Sequence, residues 1–99
     1  MGNDLSRGGF IDISGTIATG GTAQSLAAAR TARSYLLVQN HHATSALWLD
    51  FDGTTAVEAQ PSVKIGAGVS MVFEGNYVPN GAISIIGPTS AQSFTAKEG

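Results

Sequence analysis

The 99-residue chain contains no cysteine, so it can form neither a disulfide nor a thiolate metal site. Charge is scarce as well. Only 12% of residues are Asp, Glu, Lys or Arg, against roughly a quarter in an average soluble domain. The five basic residues, Arg7, Arg30, Arg33, Lys64 and Lys97, are scattered, and the formal net charge is −2. Nucleic-acid binders gather Lys and Arg into a stripe or patch, so direct contact with DNA or RNA is not expected. No run approaches the roughly 18 consecutive apolar residues of a membrane-spanning helix. The first nine residues are polar and lack the apolar core of a secretory signal. The expectation is a protein made in the cytoplasm and not exported by that route.

Catalytic and cofactor motifs are missing too. There is no G-x-S-x-G elbow. Gly66-Ala67-Gly68 lacks both the third glycine of a dinucleotide fingerprint and the lysine of a phosphate loop. His41 and His42 are the only histidines. Neighbours on a strand face opposite ways, and no carboxylate lies close to them in sequence, so a solvated loop is expected rather than a metal site. Asp50-Phe51-Asp52-Gly53 has the opening of a calcium loop but not its remaining ligands, and a turn accounts for it. With no recognisable triad or metal set, the chain is not expected to be an enzyme or to hold a cofactor.

What the sequence does contain is alternation. Phe10-Ile11-Asp12-Ile13-Ser14 begins a period-two pattern that continues through Thr16-Ile17-Ala18-Thr19 and stops at Gly20-Gly21. Gly15, inside that run, is read as a bulge. Gln24 to Arg33 has helix-forming composition but only one large apolar residue, Leu26, and therefore no packing stripe. A short strand through Leu26 followed by a loop is expected. Tyr35-Leu36-Leu37-Val38 is apolar on both faces, as in a central strand buried on two sides, and Asn40 opens a polar loop.

Leu47, Leu49 and Phe51 form one face of the next strand, and Ala46, Trp48 and Asp50 form the other. Asp52-Gly53 then reads as a hairpin turn with a short return strand at Ala56-Val57-Glu58. Further strands are expected at Val63-Lys64-Ile65, Val69 to Phe73, Ala82 to Ile86 and Phe94-Thr95-Ala96, with a brief extended piece at Tyr77-Val78. About seven to nine short strands, with a turn signal about every ten residues, predict a single all-β domain over residues 10–99, a β-sandwich or a jelly-roll-like small barrel. Residues 1–9 read as a flexible arm.

A domain of this size buries only about 60–70% of the surface its unfolded chain exposes. Without disulfides or a metal, the expected supplement is association with itself or with a larger surface. A charge-poor surface fits that expectation. The candidate partner contacts are Leu5 and Arg7 in the arm, Phe10 at its junction with the domain, and the aromatics Trp48 and Tyr77, since aromatic anchors dominate interfaces.

Several segments carry a resemblance. They are Ser14-Gly15-Thr16-Ile17, Gly20-Gly21-Thr22-Ala23-Gln24, Arg33-Ser34-Tyr35-Leu36-Leu37-Val38-Gln39-Asn40, Leu47-Trp48-Leu49-Asp50-Phe51, and the stretch from Gly75-Asn76-Tyr77-Val78-Pro79 to Ile85-Ile86-Gly87. In pattern and phrasing the chain resembles small virion proteins of tailed bacteriophages, of the kind that decorate and cement the head. The resemblance implies a structural protein of the virion, on the outer capsid surface, assembled in the bacterial cytoplasm. Its implied partners are the major capsid protein and further copies of itself, as a dimer or trimer. Similar modules occur in tails and fibres, so a receptor- or glycan-binding module of a tail fibre or baseplate is the alternative. A non-viral oligomeric scaffold is a third reading. The shared segments look like scaffold, so the resemblance carries over no functional residues.

Overall fold

The computed structural model describes residues 10–99. The expected arm, with Leu5 and Arg7, lies outside the described residues. Within them the chain is all β, in two antiparallel sheets. The strands are β1 (Ile11–Asp12), β2 (Gly15–Thr16), β3 (Gln24–Ala27), β4 (Tyr35–Asn40), β5 (Leu47–Asp50), β6 (Val63–Ile65), β7 (Ser70–Glu74), β8 (Ile83–Ile86) and β9 (Ser93–Glu98). One sheet runs β1-β9-β4-β7, with β2 also on β9, and the other runs β3-β8-β5-β6.

The pairing has a simple rule. β1 and β2 pair with β9, β3 with β8, β4 with β7, and β5 with β6. Each strand thus meets its mirror image about the β5–β6 loop, as in one long hairpin rolled into a sandwich. The roll is closed by the β4–β9 and β5–β8 pairs. This is the jelly-roll arrangement, one of the two folds expected from the strand spacing.

The core lies between the sheets. Leu36 and Val38 of β4, Leu47 and Leu49 of β5, Ile65 of β6, Ile83 and Ile85 of β8, and Phe94 and Ala96 of β9 all point inward. The alternation that predicted Leu47 and Leu49 as a core face is realised, both being fully buried, with Phe51 packed beside them. Truncating one such leucine to alanine costs about 2–5 kcal/mol, because the cavity closes only in part.

Several expectations need correction. β4 is central but buried on one face only. Leu36, Val38 and Asn40 are buried, while Tyr35, Leu37 and Gln39 are half-exposed, because among the described residues no layer covers the outside of that sheet. Gly15 makes no bulge. The register on β9 is the same before and after it (Ile11 opposite Glu98, Gly15 opposite Phe94). The interruption falls at Ile13-Ser14, where the Ser14 hydroxyl accepts the Ala96 amide at 2.9 Å in place of the backbone. The register shift occurs in β3, between Ser25 and Ala27.

Ala56-Val57-Glu58 is not a strand, and Asp52-Gly53 does not close a tight hairpin, since β5 pairs next with β6 at Val63. The intervening loop lies against the outside of the second sheet. There the Ala56 amide donates to Ser84 Oγ (3.0 Å) and the Val57 amide to Ser62 Oγ (2.9 Å), and Ala56 is 1% exposed. Side-chain oxygens satisfy amides that a return strand would have placed in a ladder. Tyr77-Val78 lies in a loop.

Candidate docking surface

The two outer faces of the sandwich differ. Outside the second sheet, Trp48 is half-buried, and the Lys64 ammonium sits 5.6 Å from its ring centroid in a cation–π contact. The loop from Phe51 to Ser62 covers more of the same face. Outside the first sheet no such loop intervenes among the described residues. Tyr35 and Leu37 of β4 share that face with Val72 of β7, which stands directly opposite Leu37 and is 47% exposed. Phe10, 57% exposed, rests on Tyr35 with ring centroids 4.9 Å apart. Phe10, Tyr35, Leu37 and Val72 therefore form one apolar strip across the face. Polar groups border it: Thr95, bonded to His41 Nε2 at 2.6 Å, and the exposed Lys97–Asp12 pair at 3.5 Å. Tyr77 lies three residues beyond Glu74, which is opposite Tyr35, and is 90% exposed. Of the candidate contacts, Phe10 and Tyr77 are thus open to solvent, whereas Trp48 lies on the other sheet beneath a lysine.

Two carboxylates and a histidine are engaged in local structure. The Asp50 carboxylate accepts the Thr54 hydroxyl and, at 2.7 Å, the Asp52 amide, and these bonds hold its pKa below the ordinary value. Asp12 is lowered by its hydrogen bonds with Ser14, helped by the Lys97 ammonium. His42 Nδ1 accepts the amides of Thr44 (3.1 Å) and Ser45 (2.9 Å) and so shapes its turn. Among the described residues no three His, Asp or Glu side chains gather as a metal set. A shallow open depression of about 290 Å³ beside Gln24, Thr54 and Ser84 has no ionisable side chain in its lining.

Sequence reasoning did not single out three buried polar residues that position this surface. Arg33, 4% exposed, ties β4 to the loop that carries Tyr77. Its Nε donates to Glu98 Oε1 (2.8 Å), its Nη1 to the carbonyls of Pro79 (2.6 Å) and Gly81 (3.1 Å), and its Nη2 to that of Ala28 (2.7 Å). At the other end of β4, Asn40 and Gln92 are buried among backbone carbonyls. Asn40 is the last residue of β4 and is not part of the expected loop.

Comparison with protein-family models, with curated proteins and with solved structures found no match to this chain.

Proposed function

We propose that this chain is a structural docking protein, and specifically a phage virion protein that binds the outer capsid surface and stabilises the head. The observation that carries the reading is the apolar strip Phe10–Tyr35–Leu37–Val72 on a sheet face that no loop covers among the described residues. An interface that buries on the order of 1,200–2,000 Å² suffices for stable docking, and gripping two neighbouring capsid subunits multiplies affinity without new chemistry. The sequence resemblance supplies the partner, the major capsid protein. The jelly-roll fold serves both viral shells and sugar-binding domains and by itself does not choose between them.

Co-sedimentation with emptied, expanded capsids of the encoding phage tests the reading. Saturable binding at a fixed ratio to the major capsid protein is expected. Phe10→Ala alone should weaken it about 30-fold, the loss expected from one aromatic anchor worth about 2 kcal/mol. A chain that never sediments with the shell refutes the proposal.

The exposure of Tyr77 favours one second reading, a glycan- or receptor-binding module of a tail fibre or baseplate, in which that ring stacks on a sugar. A glycan array read with wild type and Tyr77→Ala distinguishes the two.

A further inference from the structure

Each sheet has two edges, and three of the four are blunted against pairing. β1 and β2 are two residues each, and the break between them is occupied by the Ser14 side chain. β3 carries a register shift. β6 has three residues, with Lys64 at its centre and Pro61 just ahead of it. Short strands, bulges, lysine and proline are the devices by which proteins prevent edge-to-edge association. β7 has none of them. It runs five residues without interruption, Ser70-Met71-Val72-Phe73-Glu74, and among the described residues it pairs on one side only, with β4.

The hydrogen-bonding phase shows which of its groups are open. The Asn40 amide donates to the Val69 carbonyl at 3.0 Å, and these two residues are opposite each other in the β4–β7 register. Bonded and non-bonded pairs alternate in an antiparallel ladder, so Met71 and Phe73 bond to β4. Ser70, Val72 and Glu74 direct their N–H and C=O groups to the open edge.

We propose that β7 is a self-pairing edge: two copies of this chain join β7 to β7 antiparallel about a two-fold axis at Val72. Only one two-fold register uses all three outward residues. It puts Val72 opposite the partner copy's own Val72, and Ser70 opposite Glu74, with six main-chain hydrogen bonds. The register is chemically self-complementary. Glutamate meets serine and not a second glutamate. On the inner side Met71 meets Phe73, both now only partly buried against the core. On the outer side Leu37 and Val72 of each copy line up as one apolar row. The interface is isologous, so it closes as a dimer and does not propagate. The pairing does not depend on the capsid reading, and either can fail without the other.

The experiment is light scattering and mild oxidation of the purified chain. Wild type should elute with twice the 10.1 kDa mass of one chain. Val72→Cys should cross-link, because bonded antiparallel partners lie about 5.5 Å apart at Cα, within disulfide range. Val69→Cys is equally exposed but would sit about 20 Å from its symmetry mate, and should not cross-link. Val72→Lys should raise the dimer dissociation constant about tenfold or more while the far-ultraviolet spectrum stays that of the wild type. If Val72→Lys fails to fold, the two cysteine variants decide. A wild type that stays monomeric up to millimolar concentration overturns the proposal. So does a dimer in which Val72→Cys cross-links no better than Val69→Cys.

Discussion

The two ends of β4 are both closed by buried polar side chains, but with opposite chemistry. At the Tyr35 end, Arg33 brings a full charge into the interior, where its ion pair with Glu98 and three carbonyls engage every nitrogen of the guanidinium. At the Asn40 end the work is done by neutral amides. Asn40 Nδ2 lies within hydrogen-bond distance of the carbonyls of Ser45 (2.8 Å), Ile65 and Gly66 (3.2 Å each), and Gln92 Nε2 donates to those of Ser45 and Ala46 (3.1 Å each). The charged end joins β4 to β9 and to a loop. The amide end joins β4 to β6, across the sandwich. A guanidinium can satisfy many acceptors at once, but only if a carboxylate is buried with it, whereas amides do so without importing a charge that must be neutralised.

This difference sets the order of expected effects. Arg33→Ala should be the most damaging, because it leaves the Glu98 carboxylate buried without its partner. A loss of about 3–5 kcal/mol is expected, read as a shift of the denaturant midpoint at unchanged slope. Asn40→Ala strips donors from three carbonyls without stranding a charge, and should cost about 2–3 kcal/mol in the same assay. If the two losses come out equal, the charge at the first end contributes nothing special. Gly87→Ala probes the amide end from outside. An added methyl would lie 2.6 Å from Gln92 Oε1 and 3.1 Å from Leu47, and displacing Gln92 should cost about 1–3 kcal/mol.

An acid titration separates both ends from the β5–β6 loop. The Thr54 hydroxyl and the Asp52 amide keep the Asp50 pKa below its ordinary 3.8. Its contribution to stability is therefore complete above that value and is lost as the pH falls through the lowered folded value. Thr54→Val should lose less stability than wild type between pH 5 and pH 2, giving a shallower acid limb. At the small end of the scale, Lys97→Ala breaks only the exposed pair with Asp12 and should change stability by less than about 0.5 kcal/mol.

Much of the fold was legible where alternation is clean. Leu47-Trp48-Leu49 and Ile83-Ser84-Ile85 have the same in-and-out order in the structure as in the sequence, whereas Asp50, on the Trp48 side, is buried. The short strand through Leu26 was also readable, because a helix there would have had no apolar stripe. Ala56-Val57-Glu58 misled because Val57 suits a strand by propensity, while Ser84 and Ser62, distant and nearby hydroxyls, take up the amides. Arg33, Asn40 and Gln92 carried no sequence signal. A polar residue is read as surface unless its partners are known, and their partners are mostly carbonyls brought near by folding. Of the candidate contacts, Trp48 and Tyr77 looked alike in sequence and differ in exposure because one shares its face with Lys64 and the other projects from a loop.

The sequence by itself determined that residues 10–99 form a β domain, that alternating apolar residues make its core and that no disulfide holds it, because side-chain period and the absence of cysteine are local properties. Only the tertiary structure decided which strands pair and which face stays uncovered. It also decided which polar side chains are buried and which edge is left open. Those outcomes depend on contacts between residues far apart in the chain, where register and burial are set jointly by both partners.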